Sequence, residues 1–204
     1  MPSTVPPHAA PAESRVRART RRAILTAAAS LLARNRGATL AEIAEAADVG
    51  RTSLHRYFPD RESLINAVIQ DSASVMSQAI QEARLDDDDP VQTLRRLVAT
   101  MFDVGDHLLF LFSDPGVRAT FENLSEQGAR TDAVARLIER GCAEGVFDSK
   151  VSSAWIESVF WALIYAGCDA VHKGRLPRHQ ALNSVLRSLE NGIRIKGAGE
   201  EPDV

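Results

Sequence analysis

Cysteine and lysine are scarce in this chain, and long apolar runs are missing. Only two cysteines, Cys142 and Cys168, occur among 204 residues, which favours reduced thiols in a cytosol. The longest uncharged apolar stretch, Val159 to Cys168, is half of the roughly 20 residues that a membrane-spanning helix needs. Met1 to Glu13 lacks the basic start and apolar core of a secretory signal. These absences predict a cytoplasmic protein without a membrane span, and the excess of arginine over lysine hints at a GC-rich bacterium.

Signals of catalysis are also missing. The sequence has no glycine-rich phosphate loop after a strand, no nucleophile elbow and no arrangement of paired carboxylates. Gly197-Ala198-Gly199 lies in a polar tail and is expected to be a loop. Cys168 and His172 are spaced i, i+4 and are compatible with a metal, but nothing elsewhere completes a four-ligand set. We therefore expect neither an enzyme nor a cofactor or metal site.

Charge is distributed unevenly along the chain. Residues 1–61 contain ten arginines and five acidic residues, whereas the remainder contains 14 basic and 22 acidic residues. A basic first third joined to an acidic remainder indicates a polyanionic partner for the first part alone. The alternative is a solvated surface whose charge is uneven by chance.

From Arg15 onward, apolar residues recur with helical spacing and rarely alternate as in a strand. The sequence predicts an all-α fold of about nine helices, with a three-helix helix-turn-helix bundle at 15–61 and a larger bundle at 62–196. A long helix over 61–85 connects the two. Residues 1–14, with four prolines, are predicted to be a disordered arm, and 197–204 a flexible tail. The later helices are predicted at 90–112, 115–126, 129–144, 152–173 and 178–195.

Local capping signals set the starts of several helices. Thr39 and Glu42 have the spacing of a capping box, which predicts a short helix over 39–47. Asp60 is expected to cap the long fourth helix, and Asp89 precedes Pro90 in the cap-then-proline order that starts a helix. A first helix is predicted from about Val16 or Thr20 to Arg36.

The third predicted helix, Arg51 to Phe58, follows a three-residue turn, as in a helix-turn-helix. With Leu54 and Phe58 buried at i, i+4, the outward side chains can hydrogen-bond base edges or phosphates, and none is acidic. These outward residues are Arg51, Thr52, His55 and Arg56. Such a face favours DNA over a plain solvated helix.

At these residues the sequence resembles the TetR (tetracycline-repressor) family of transcriptional regulators. The matching segments are Thr39 to Ala44 and Val49 to Leu64, with the spacing of the family signature throughout. Beyond about residues 20–70, only length and helix number agree with the family. The chain departs at three positions: Thr52 stands where the family usually has Gly, His55 where it has Tyr, and Tyr57 where it has His.

The resemblance implies DNA contacts by position. Thr39, Tyr57 and Arg61 would hold phosphates, although for Tyr57 core packing against Phe58 is an alternative. Arg51 would read a guanine with two hydrogen bonds. The residues expected in or along the major groove are Arg51, Thr52, Ser53, His55 and Arg56. Arg15 to Arg22 would form a flexible basic arm along the backbone or minor groove, with general solubility as its alternative.

The last two predicted helices indicate a homodimer. Helix 152–173 is apolar nearly all round, so it needs one partner within the subunit and one outside it. It carries a row of small residues at i+4 spacing that lets helices approach closely. The expected interface comprises Ser158, Ala162, Ala166, Ala170, Leu182, Val185, Leu186 and Leu189.

Aromatic residues concentrate after residue 61. Alone, such a set indicates a core more often than a ligand chamber, but the resemblance implies an effector pocket in the second bundle. The expected lining is Phe102, His107, Phe110, Phe121, Trp161, Tyr165 and Asp169. With few polar groups and no inward basic cluster, it should take a small, mainly apolar organic effector. The chain is thus expected to be a ligand-responsive repressor on a palindromic operator, with an all-α enzyme or protein-interaction module as the alternative.

Overall fold

The computed structural model describes residues 10–86, 89–127 and 133–193, and within them it contains ten α-helices and no extended strand. The all-α expectation is confirmed, with ten helices in place of about nine. The helices are α1 (Ala10–Arg34), α2 (Leu40–Ala46), α3 (Arg51–Tyr57), α4 (Arg61–Glu82), α5 (Pro90–Asp103), α6 (Gly105–Phe112), α7 (Pro115–Gln127), α8 (Ala133–Ala143), α9 (Ser153–His172) and α10 (Arg178–Ile193). The predicted tail at 197–204 lies outside the described residues.

The additional helix arises because the predicted helix 90–112 is divided. The helical geometry is interrupted at Val104, with φ −105° and ψ 20°. Gly105 follows, and a Cβ built on it would lie 3.1 Å from Cys168 Sγ of α9. A glycine at this position therefore lets the α5–α6 junction approach α9 closely.

The predicted helix caps at Thr39, Asp60 and Asp89 are confirmed. The Thr39 N–H donates to Glu42 Oε2 at 2.6 Å, and the Glu42 N–H donates to Thr39 Oγ1 at 3.2 Å. Asp60 Oδ1 accepts from the Ser63 N–H at 2.7 Å, and Asp89 Oδ2 accepts from the Gln92 N–H at 3.1 Å. These starts depend on residues three apart, which is why the sequence predicts them.

The first helix begins earlier than predicted. α1 starts at Ala10, so residues 10–22 are helical rather than part of a disordered or flexible arm. Alanine, glutamate and arginine favour helix in this segment, and Pro11 falls in the first turn, where a proline is tolerated. The remainder of the predicted arm, residues 1–9, lies outside the described residues.

The chain forms two compact units, Met1–Asp71 and Ser72–Val204. In the first unit, α2 packs against both α1 and α3. Its core includes Ile24, Leu32, Ile43, Leu54 and Phe58, all at most 3% exposed. The i, i+4 pair Leu54 and Phe58 thus fixes which face of α3 turns outward.

In the second unit, α9 is the central helix and contacts α5, α6, α8 and α10. Among the described helices it alone has the length and composition to cross a membrane: 20 residues, with a mean hydropathy of 1.2 over a window that is 28% buried. One such helix is weak evidence of a span, because the central helix of a bundle has the same composition. Its exposed apolar part bears on assembly, as described below.

Candidate nucleic-acid interface and effector unit

The turn between α2 and α3 is built by backbone hydrogen bonds around Asp48. Asp48 adopts a left-handed conformation with φ 53°. Its N–H donates to Glu45 O at 3.0 Å, and the Val49 N–H donates to Ala44 O at 2.9 Å. This pair of bonds is the Schellman arrangement that ends a helix sharply. Only three residues therefore separate the C-cap Ala47 from Arg51, the first residue of α3, as a helix-turn-helix requires.

The outward face of α3 is exposed and carries donors without acidic neighbours on the helix. Arg51, Thr52, His55 and Arg56 are exposed, and Ser53 is half-buried. His55 Nδ1 lies 3.3 Å from Pro59 O just after the helix, which leaves Nε2 on the side of the ring away from that contact. Arg51 has no ion pair within the part of the chain that the structure describes. The four residues predicted to face outward from the sequence are thus brought together on one exposed surface.

Tyr57 combines a packing contact with a position beside this surface. It is half-buried, and its ring centre lies 6.5 Å from that of Phe58. The guanidinium of Arg56 lies 5.8 Å from the Tyr57 ring centre, within cation–π range. Packing with Phe58 is therefore present in the free chain, and the phosphate contact implied by position stays a prediction.

Thr39 is engaged in its own capping box. Its hydroxyl donates to Glu42 Oε2 at 2.8 Å and accepts from the Glu42 N–H. The backbone N–H and the hydroxyl of Thr39 together hold the pKa of the Glu42 carboxyl below its usual range. The predicted phosphate contact of Thr39 would therefore have to compete with a formed cap.

Arg61 has partners that its sequence position does not reveal. Its guanidinium donates to the backbone carbonyls of Ala38 and Arg36, the latter at 2.5 Å. These carbonyls lie in the connection between α1 and α2. In the free chain Arg61 is thus engaged within the unit itself, and the phosphate contact predicted for it stays a prediction.

In the second unit, the predicted ligand residue His107 bonds to a residue that the sequence analysis missed. His107 Nδ1 lies 2.9 Å from the hydroxyl oxygen of Ser72, which is fully buried on α4. Ser72 falls at i+4 from Val68 and at i−4 from Met76, which are both buried. That spacing places a serine in an apolar stripe, and this signal was available in the sequence.

A second polar pair joins α6 to α9. His172 Nδ1 lies 3.2 Å from Asp106 Oδ1, and the His172 side chain is 8% exposed. Its Nε2 atom is buried without a hydrogen-bond partner in the described part of the chain. The two residues are 66 positions apart, so spacing alone gave no indication of the pair.

The predicted ligand residue Asp169 is engaged in local ion pairs. One of its oxygens lies 2.9 Å from Lys173 Nζ, and the other accepts from Arg175. Both cations follow within six residues, so these pairs stabilise the carboxyl end of α9. Asp169 is therefore less available to an effector than its position on α9 suggests.

The five aromatic residues predicted to line a pocket are distributed over α5, α6, α7 and α9. Phe102 and Phe110 are buried, whereas Phe121, Trp161 and Tyr165 are half-buried. The Phe121 ring packs edge-on against Phe112 at 6.0 Å, and the Trp161 ring packs edge-on against Phe160 at 5.1 Å. That these residues share one pocket stays a prediction.

The row of small residues on α9 faces outward in the single chain. Ser158, Ala162 and Ala166 are exposed and Ala170 is half-buried. Trp155, on the first turn of the same helix, is 63% exposed. The described chain thus leaves a flat, mostly apolar face of α9 uncovered.

On α10 the predicted interface residues separate into two groups. Leu182 and Leu186 are half-buried, whereas Val185 and Leu189 are at most 5% exposed. Val185 packs against α9 beside Gly167. Because their own subunit covers Val185 and Leu189, we do not retain them as interface residues.

The two cysteines have no visible ligand role. Burial raises the pKa of the Cys168 thiol to about 12, so it is protonated at neutral pH. Within the residues that the structure describes, no three His, Cys, Asp or Glu side chains are grouped as a metal ion would require.

Comparisons with known proteins agree with this arrangement. The family model described as bacterial regulatory proteins, tetR family, matches residues 24–68. The HTH-type transcriptional repressor LfrR of Mycolicibacterium smegmatis is 36% identical over 181 residues, which cover 89% of this chain and 94% of LfrR. A crystal structure of LfrR from Mycobacterium smegmatis superposes with a TM-score of 0.69 at 33% identity, covering 89% of this chain and 99% of that one. The structure of LfrR in complex with proflavine gives a TM-score of 0.65 at 34% identity, with coverage of 90% and 99%.

Proposed function

Since this chain belongs to the TetR family of ligand-responsive transcriptional regulators, we propose that it is a repressor that binds a palindromic DNA operator as a homodimer. The observation that carries this proposal is the exposed, acid-free face of α3, presented by a formed helix-turn-helix. The relative LfrR bears the name of a repressor. The alternatives of an all-α enzyme and an interaction module are not favoured, since the family and its relatives are regulators.

In this proposal α3 enters the major groove. Arg51, at the first position of α3, pairs with a guanine through two parallel hydrogen bonds. Thr52, Ser53, His55 and Arg56 lie in or along the groove, where short polar groups and one further cation can reach base edges and phosphates. The exposed arginines on α1 between Arg15 and Arg22 add charge along the DNA backbone.

The homodimer uses the uncovered face of α9 together with α10. The row Ser158, Ala162, Ala166 and Ala170 allows close approach of two copies of α9, and Leu182 and Leu186 complete the apolar area. Trp155 is the large exposed side chain that such a contact would cover. A two-fold axis between subunits would place two copies of α3 on half-sites about 34–36 Å apart.

The second unit, as the effector-binding and dimerisation domain, would bind a small organic molecule. The proflavine complex of LfrR supports a planar aromatic effector of this kind. Apolar contacts would come from Phe102, Phe110, Phe121, Trp161 and Tyr165, with His107 as the oriented polar group. Asp169 would offer its negative charge only after giving up its pairing with Lys173 or Arg175. Proflavine is itself a cation at neutral pH, so a screen must include both neutral and cationic aromatic compounds.

The proposal includes a domain division and a location in the cell. The DNA-binding domain corresponds to residues 15–61 and the effector and dimerisation domain to 62–196. Helix α4 belongs to both units, with residues 61–71 in the first and 72–82 in the second. An effector that favours one conformation of α4 would alter DNA affinity by its differential binding to the two states. A cytoplasmic location without a membrane partner completes the proposal.

The test begins with a selection of bound fragments from the source genome. Fluorescence anisotropy then compares a selected duplex with a scrambled one over a series of salt concentrations. We expect a preference for the selected duplex and a linear fall of log affinity with log salt concentration. A thermal-shift screen with proflavine and neutral aromatic compounds should raise the melting temperature and change DNA affinity. Binding without sequence preference or salt dependence would favour the alternatives.

A further inference from the structure

We infer that Arg61 is a positioning residue of the DNA-binding unit, because its guanidinium holds the connection between α1 and α2 in place. This inference rests on the proposed DNA binding and specifies how the reading surface is held. Arg61 is the first residue of α4. Its position alone would suggest a contact with the DNA backbone.

The geometry gives Arg61 two acceptors in one short segment. One terminal nitrogen donates to Ala38 O and the other to Arg36 O, on the two sides of Gly37. These residues precede Arg61 by 23 and 25 positions. A planar guanidinium with parallel donors fits two neighbouring oxygens, whereas a lysine ammonium is a single point of charge.

Two N–H groups of the α1–α2 connection donate to Asn35. Its side-chain oxygen accepts from the Gly37 N–H at 3.0 Å, and its backbone oxygen accepts from the Ala38 N–H at 3.0 Å. Asn35 thus accepts from the N–H groups of Gly37 and Ala38, while Arg61 donates to the carbonyls of Arg36 and Ala38. Together they define the path of the chain from the end of α1 to Ala38.

That path ends at the cap of the helix-turn-helix. Ala38 is fully buried and immediately precedes Thr39, the capping residue of α2. Because α2 packs against α3, the position of the start of α2 influences the orientation of α3 and of its exposed Arg51 and Arg56. Releasing the Ala38 carbonyl would make this orientation less fixed without removing any side chain from the face of α3.

The experiment compares Arg61→Ala and Arg61→Lys with wild type in the full-length chain, with Arg19→Ala as a matched control on the exposed surface of α1. Two quantities are measured: affinity for the selected operator over a salt series, and hydrogen exchange of the peptide that covers residues 35–40. Each neutralised phosphate contributes about 0.9 to the slope of log affinity against log salt concentration. Lysine retains the charge but loses the paired donors.

We expect Arg61→Lys, which retains the charge, to lose at least tenfold in operator affinity with an unchanged salt slope, and both Arg61 variants to exchange faster over residues 35–40. Arg19→Ala should leave that exchange unaltered. The inference is overturned if Arg61→Lys binds as wild type does, or if Arg61→Ala lowers the slope by about 1.8, one phosphate contact in each subunit of the dimer, with unchanged exchange. If Arg61→Ala fails to fold, Arg61→Lys decides. If wild type shows no operator preference, the proposed function fails, while the exchange of Arg61→Lys still tests the contact.

Discussion

The two units of this protein use their polar side chains in opposite ways. On α3 of the first unit, Arg51 and Thr52 are exposed and point away from a small apolar core. In the second unit, Ser72 and His172 are buried and each bonds a partner on another helix. The first arrangement leaves donors ready for a large external partner. The second uses polar groups to hold helices together, so a ligand there must fit an existing set of bonds.

The largest expected effect concerns packing in the second unit. A Cβ added to Gly141 would lie 2.2 Å from the ring of Phe147, which is 1% exposed. We expect Gly141→Ala to lower the free energy of unfolding by about 3 kcal/mol, because the added methyl group forces a buried ring to move within a packed core. Chemical denaturation measures this value.

Gly192→Ala on α10 is the matched control. A Cβ at Gly192 meets no atom within 4 Å, so this variant should gain about 1 kcal/mol from helix propensity. Equal stabilities of the two variants would mean that the second unit is not close-packed around Phe147.

The next effect tests whether the exposed face of α9 joins two copies. Ala166→Glu places a charge in the middle of the small-residue row and should convert the dimer to a monomer at micromolar concentration. Because a monomer presents only one copy of α3 to the DNA, operator affinity should fall at least 100-fold, about 2.7 kcal/mol. Leu186→Glu should act in the same direction from α10. Sedimentation velocity and anisotropy measure the two effects.

Ala119→Glu, on the exposed surface of α7, is the control for added charge and should remain a dimer. A wild-type chain that sediments as a monomer at micromolar concentration would contradict the proposed interface. A dimeric Ala166→Glu variant would move the interface away from the α9 row.

A third effect separates recognition of bases from electrostatic attraction to the DNA backbone, both by residues of the first unit. Arg51→Ala should cost about 1–3 kcal/mol on the operator and relax the preference at one base pair in each half-site. Arg22→Ala, on the exposed surface of α1, should weaken selected and scrambled duplexes alike and flatten the salt slope by about 1.8, since the dimer loses one phosphate contact in each subunit. Equal losses on both duplexes for Arg51→Ala would contradict base reading.

Local spacing explains what the sequence could predict. The caps at Thr39 and Asp60, and the burial of Leu54 and Phe58, depend on residues three or four positions apart, and the structure has each of them. The outward face of α3 follows directly from that burial. The exposed surface of the first unit depends on two short helices and could therefore largely be predicted from the sequence.

Tertiary contacts explain what the sequence could not predict. Cys168 of α9 lies close to Gly105 at the break between α5 and α6, and the Asp106–His172 pair joins residues 66 positions apart. Arg61 finds its acceptors more than 20 positions earlier in the chain. Val185 was expected in the interface because an apolar stripe does not reveal which of its residues face the subunit's own core.

The smallest expected effect lies in the turn of the helix-turn-helix. Asp48 occupies the left-handed position after the end of α2, where glycine is the preferred residue. Asp48→Gly should raise the free energy of unfolding by about 0.5 kcal/mol. Glycine removes the steric cost of φ 53°, but its greater freedom in the unfolded chain offsets part of that gain. Asp48→Ala should lower it, because alanine has neither the freedom of glycine nor a polar side chain that tolerates this conformation.

Asp48→Asn separates conformation from charge, since asparagine also adopts the left-handed region but is neutral. Thermal unfolding ranks the three variants, and operator affinity is measured alongside. If Asn and Gly raise affinity equally while only Gly raises stability, the acidic side chain opposes DNA and the backbone geometry is already set by the Val49 and Asp48 hydrogen bonds. A stabilising Asp48→Ala would show that the turn does not hold the left-handed conformation in solution.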